Sequence, residues 1–155
     1  MVAQLEHLRS QKGQVEAEIR TLVEQEHTAL LTIPGISYVT AGSILGELVE
    51  FHSTSGDPRA LLAFAGLDPK LSQSGQSSVH SKIGKRGSPY LRNAIWGAAV
   101  RAAQLDPMFH AIYEHHRSLG KHGKVGFSHV AKKLTYVISS VLRTNRPYAP
   151  RMAVA

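Results

Sequence analysis

Residues 88–120 read SPYLRNAIWGAAVRAAQLDPMFHAIYEHHRSLG, and this stretch decides the fold. Ser88-Pro89 and Asp106-Pro107 each set a capping side chain before a proline at the first helical position, where the absent N–H has no partner to lose. After the first cap, Leu91, Ile95, Ala98, Ala99 and Ala102 recur at helical spacing, and the many alanines imply close helix packing. Gly120 supplies the residue that most easily closes a helix in the left-handed conformation. The signals predict one helix from Pro89 to about Gln104 and a second from Pro107 to about Ser118. A third, from about Val125 to Thr144, follows from Val130, Leu134, Val137, Ile138, Val141 and Leu142. Pro147 blocks its extension, and residues 146–155 are expected as a frayed tail.

Working outward, Asp57-Pro58 repeats the cap and opens a short helix through Ala65 that Gly66 ends. Further upstream, Pro34-Gly35 stops one helix and turns the chain toward another, carried by Ile44, Leu45 and Leu48. From Met1 the chain follows a heptad seam of Leu5, Leu8, Lys12, Val15, Ile19, Leu22, Glu26 and Ala29, interrupted at Lys12 and Glu26. An imperfect coiled coil with a second chain and packing on the chain's own domain both satisfy such a seam. Residues 67–87 lose all helical period and form a polar, Gly- and Ser-rich segment in which Val79 and Ile83 offer a short β-hairpin. The expected architecture is all-α, with about six helices. It divides into a coiled-coil helix (1–29), a helical domain (30–145) and the tail (146–155).

With 155 residues, 43% of them hydrophobic, the chain can bury one domain's core, which excludes a disordered polymer and a multidomain enzyme. The net charge of +7 divides unevenly. Residues 1–60 hold four basic and eight acidic side chains, whereas residues 61–155 hold fourteen basic and three acidic ones. A polyanionic partner therefore belongs to the second part. Zero cysteines exclude disulfides, thiolate nucleophiles and Cys-ligated zinc. No apolar run approaches the roughly 20 residues that span a bilayer, and no secretory signal is visible, so the expected setting is cytoplasmic and without a membrane partner.

Between Asp68 and Asp106 there is no carboxylate, yet Lys70, Lys82, Lys85, Arg86, Arg92 and Arg101 fall there. Lys85 and Arg86 immediately precede a capped helix that carries Arg92 in its first turn. Cations, backbone amides and a helix N-terminus thus meet in one place, as phosphate binding requires; a solvated charged loop is the alternative. Ser74, in Gln-Ser-Gly-Gln-Ser-Ser, is the candidate nucleophile of this segment. A serine hydroxyl needs a base or strong stabilisation of the charge it creates, and the neighbouring cations offer the second. A serine in a Ser-rich loop is otherwise a linker residue. His80 is near enough in sequence to be a base. His110 and Glu114 share a helix face, with His115-His116 following, but no third metal ligand is placed. Tyr90, Trp96 and Tyr113 read as core or half-buried aromatics.

Two resemblances add to this reading. Ile33-Pro34-Gly35-Ile36-Ser37 with Ala41 resembles the helix-hairpin-helix, a DNA-binding hairpin whose backbone amides grip a phosphate; Ser37 stands where its second glycine is usual. The ordered set Ile33-Pro34-Gly35-Ile36 with Thr40-Ala41, Phe64-Ala65-Gly66-Leu67-Asp68-Pro69, Ser74-Gly75, Lys85-Arg86-Gly87 with Leu91-Arg92, Asp106-Pro107, Gly120-Lys121 and Ala131 to Leu134 covers residues 30–145. It resembles the C-terminal domain of bacterial insertion-sequence transposases of the DEDD class, relatives of the Piv DNA invertase that use a structured bridge RNA. The resemblance implies that Ser74 attacks a DNA phosphodiester and forms a phosphoserine link. Gly35, Ser37, Lys82, Lys85, Arg86, Arg92 and Lys121 are then the expected DNA or phosphate contacts. It also implies DNA and guide RNA as partners, a homo-oligomer through the N-terminal helix, and a nucleoid-associated bacterial setting. Magnesium is expected only on an N-terminal RuvC-like acidic domain that these residues do not supply, with no cofactor in this chain. The start inside a heptad is expected to reflect a cut within the coiled coil joining the two. A non-enzymatic nucleic-acid-binding module and a helical dimerisation domain remain the alternative readings.

Overall fold

The computed structural model describes residues 1–49, 57–70, 82–83 and 86–150. Among these, six α-helices follow in order: α1 (Val2–Gln25), α2 (Tyr38–Val49), α3 (Pro58–Phe64), α4 (Pro89–Leu105), α5 (Pro107–Ser118) and α6 (Gly123–Thr144). A 3-10 turn (Ala29–Thr32) precedes α2, and two-residue strands β1 (Pro69–Lys70) and β2 (Lys82–Ile83) lie between α3 and α4. The all-α expectation holds. No helix among the described residues is long and apolar enough to cross a membrane.

The caps act as their residue types predict. Asp57 accepts from the Arg59 amide at 2.8 Å, Ser88 from Leu91 at 3.0 Å, and Asp106 from Met108 and Phe109 at 2.8 and 3.2 Å. α6 begins two residues before Val125 because His122 Nδ1 accepts from the Lys124 amide, a cap that helical periodicity does not signal.

α4, α5 and α6 pack on one another, and α2 and α3 lie against α4 and α6 respectively. Ile95, Ala98, Ala99 and Ala102 of α4 are fully or almost fully buried against a core that includes Phe109, Val130, Leu134 and Ile138. Each large side chain withdrawn in this way contributes roughly 1.5–3 kcal/mol.

The end of α6 is tied down rather than frayed, at least through Tyr148. Asn145, in the left-handed conformation, accepts from the Ala29 amide and donates to the His27 carbonyl. The Tyr148 amide donates to Thr32 Oγ1 at 2.8 Å and its hydroxyl to Asp106 Oδ2 at 3.0 Å. Those partners lie far away in sequence, so composition alone does not reveal them. Tyr90 also departs from expectation: it is 73% exposed, whereas Trp96 and Tyr113 pack partly against the core.

α1 buries only Val23, with Ile19 half-buried against Gly42 of α2. The heptad side chains Leu5, Leu8, Val15 and Leu22 stay 49%, 63%, 54% and 61% exposed. Packing on the chain's own domain therefore covers only the last turns of this seam.

Candidate nucleic-acid interface

The segment between α3 and α4 is closed at its base by two glycines. Gly66 (φ +64°) ends α3, and a Cβ there would strike the Arg86 carbonyl and sit 2.7 Å from Arg92 Nη1. Gly87 (φ +113°) opens the approach to α4, and a Cβ there would strike the Phe64 carbonyl. Only glycine lets the two strands of chain come this close. The Ser88 amide then donates to the Phe64 carbonyl at 2.8 Å. Beyond this clamp, β1 and β2 pair antiparallel, Pro69 with Ile83 and Lys70 with Lys82. Of the two residues expected to support a hairpin, Ile83 pairs with Pro69, and Val79 lies outside the described residues.

Arg86 is exposed and Arg92 half-buried at this clamp. Arg92 Nη1 is 3.4 Å from the Ala65 carbonyl, a long hydrogen bond onto the last turn of α3, and its guanidinium keeps further donors. The structure thus brings the Arg86 backbone carbonyl and the Arg92 guanidinium together around Gly66. Ser74, His80 and Lys85 lie outside the described residues. Lys82 is placed only as backbone, in β2.

Gly35 and Ser37 form a separate locus. Gly35 (φ +90°) is pressed on α4, where a Cβ would be 2.5 Å from the Ala98 carbonyl oxygen and 2.8 Å from the Ala102 nitrogen. Ser37 Oγ accepts from the Thr40 amide at 3.3 Å and lies 3.1 Å from Thr40 Oγ1, while the Ser37 carbonyl takes the Ala41 amide. Ser37 in place of glycine is therefore a helix cap that occupies part of the α2 N-terminus. Arg101, exposed on α4, has its Cβ 3.2 Å from the position a Gly35 Cβ would take, so its stem packs at that turn. Arg101 belongs to the acid-free stretch, but its neighbour at Gly35 is a tertiary contact without a sequence signal.

Lys121 sits in a third place, the α5–α6 turn. Arg117 Nη1 donates to the Lys121 carbonyl at 2.8 Å, and Gly120 (φ +71°) provides the reversal. Beside it the rings of His116 and His129 stack at 3.6 Å, with His115 edge-on to His116. Burial foremost, then Lys121 and His115, holds His116 below the usual imidazole range; burial and then His116 do the same to His129. Nothing in sequence flags this pair, because the rings come from different helices.

Among the described residues no group of three or more His, Cys, Asp or Glu is arranged to hold a metal ion, the stacked histidines included. His110 Nδ1 is engaged with the Ala103 carbonyl at 3.0 Å. Magnesium thus finds no fitting donor set among them.

Fold and site together define a basic, all-helical domain built around a glycine-clamped loop base. A sequence profile described as the transposase IS116/IS110/IS902 family matches residues 27–114, more than half of the chain. The chain is 28% identical over 98% of its length to an IS110 insertion-element 43.6 kDa protein of Streptomyces coelicolor, covering 38% of that protein. It is 32% identical over 97% of its length to a pilin gene-inverting protein of Moraxella bovis, covering 46% of it. The transposase of insertion element IS1111A from Coxiella burnetii is 33% identical over 54% of this chain and 23% of its own. This chain belongs to the IS116/IS110/IS902 transposase family, as the ordered motifs imply. It spans less than half the length of these relatives.

Proposed function

We propose that this domain carries the serine nucleophile of a DNA recombinase of its family and presents it to a DNA phosphodiester during transposition or inversion. The observation that carries the reading is the glycine clamp. It draws Gly66 and Gly87, which flank the Ser74-bearing segment in sequence, together at the junction of α3 and α4, with the Arg86 backbone and the Arg92 guanidinium beside Gly66. Family membership supports DNA recombination as the setting, since relatives are named for transposition and for gene inversion.

In the proposed step Ser74 Oγ bonds to phosphorus as one bridging P–O bond breaks. The serine proton passes to a base and the departing strand oxygen takes up a proton. Arg86, Arg92, Lys82 and Lys85 offset the charge on the non-bridging oxygens and flanking phosphates. A RuvC-like acidic domain supplied by other sequence, with its magnesium, completes the active site. The α2 N-terminus with Gly35, Ser37 and Arg101, and Lys121 on the α5–α6 turn, are further backbone contacts. Assembly through the exposed α1 seam brings copies together, with a guide RNA directing target choice, on the bacterial nucleoid in the cytoplasm.

A Ser74→Ala protein, assayed in the full-length recombinase, is expected to lose recombination while keeping DNA affinity within about twofold, because a hydroxyl adds little to a charge-dominated interface. Retained recombination refutes the nucleophile. The packing of Arg101 at the Gly35 turn, just ahead of the capped α2 N-terminus, favours one alternative, a non-enzymatic backbone-binding module, which requires Ser74→Ala to change neither property.

A further inference from the structure

A second concentration of charge lies at the turn between α5 and α6. From His115 to Lys133 the sequence has five Lys and Arg, four His and no Asp or Glu. Arg117, Lys121, Lys124, Lys132 and Lys133 are all exposed. Both ion pairs found among the described residues are on α1, so no carboxylate neutralises these cations there.

The turn is built before any ligand arrives. The Arg117 guanidinium holds the Lys121 carbonyl, the Lys121 amide donates to the His116 carbonyl, and the His116–His129 stack joins the two helices beneath it. Three of the amides at the start of α6 are already used. Lys124 donates to His122 Nδ1, and Val125 and Gly126 donate to the His122 carbonyl. A pocket for one small anion needs such amides free. What remains here is a spread of side-chain cations. Lys124 and Lys132 are eight residues apart, about 12 Å along the helix, which is several phosphate steps of a nucleic-acid strand. The geometry fits an extended polyanion better than a single one.

We propose that the α5–α6 turn and the adjoining face of α6 form a second nucleic-acid surface, on which Arg117, Lys121, Lys124 and Lys132 track a phosphate backbone. The proposal rests on the reading above only for the class of partner, and it extends the single Lys121 contact to a surface on elements that carry neither Ser74 nor the loop clamp.

The test is a titration of the chain against a labelled DNA duplex and a single-stranded RNA of equal length, at several salt concentrations. Lys121→Glu with Lys124→Glu is expected to weaken binding roughly tenfold or more in at least one arm and to flatten the slope of log affinity against log salt by about 1.5–2. The affected arm identifies the polymer. Thermal unfolding reports whether that variant still folds, and Lys132→Gln gives an independent, milder variant that must move binding in the same direction. Affinity and slope within twofold of wild type for both variants, in both arms, overturn the proposal. In parallel, Lys85→Glu with Arg86→Glu tests the loop. Loss there without loss at the turn rejects the second surface and leaves the first reading intact. No binding of either polymer by the wild-type chain rejects both.

Discussion

A methyl group at position 35 meets the backbone of α4. The Ala98 carbonyl oxygen and the Ala102 nitrogen lie 2.5 and 2.8 Å from where it would sit, on a residue already at φ +90°. Gly35→Ala should therefore destabilise the domain by roughly 2–4 kcal/mol, combining backbone strain with a clash that only helix displacement relieves. Urea unfolding measures it; a loss below about 0.5 kcal/mol contradicts the packing described. Asp106 joins two helix ends in another way. One carboxylate oxygen accepts from Met108 and Phe109, and the other accepts from the Tyr148 hydroxyl. Burial, and then Asp106, raises the Tyr148 phenol above its ordinary range, so it remains a donor at neutral pH. Tyr148→Phe should cost about 0.5–1.5 kcal/mol, and Asp106→Ala about 1–3 kcal/mol because the cap of α5 is lost too. In a double-mutant cycle the two changes should be non-additive; strict additivity rejects the contact. Asp106 is legible as a cap from Asp-Pro alone. Its bond to Tyr148 is not, because it spans 42 residues and is set by how α6 returns.

The elements divide in the same way. Helices opened by Ser-Pro or Asp-Pro and closed by glycine are readable locally, since capping and the left-handed stop are properties of a few adjacent residues. The start of α6 at Gly123 is less so, because an imidazole acts as its cap. How α5 and α6 join depends on His116 and His129, whose stacking no local pattern announces. Both imidazoles are held below their ordinary pKa, mainly by burial. As pH falls below about 6.5 the unfolded chain binds protons that the folded pair resists. The contribution of this pair to stability is therefore complete above that pH and declines as pH drops toward and through the lowered folded values. Thermal midpoints between pH 7.5 and 5 should fall more steeply in wild type than in His129→Gln; identical slopes contradict this. On α1 the sequence leaves two partners for the seam, and the exposure of Leu8 and Val15 favours a second chain. If α1 pairs, Leu8→Asp with Val15→Asp should shift the sedimenting species to monomer with little change in monomer stability. A wild-type monomer at all concentrations rejects pairing.

At the scale of the whole molecule, charge and architecture coincide. The first 60 residues are net acidic and include the exposed helix α1, whereas the excess of cations falls on residues 61–155, which carry the loop clamp and the α5–α6 turn. That division was readable from composition by position, and the family from the order of its motifs. The approach of the Arg86 backbone to the Arg92 guanidinium around Gly66, and of Arg101 to Gly35, was not, because each is fixed by helices meeting across the core. The central claim concerns the segment between the clamped ends. In the full-length recombinase, a DNA substrate nicked so that religation is blocked should trap a covalent protein–DNA complex. Peptide mapping by mass spectrometry should then place the phosphodiester on Ser74, with no adduct formed by Ser74→Ala. An adduct that persists in Ser74→Ala, or that maps to another residue in the wild-type protein, would contradict the account.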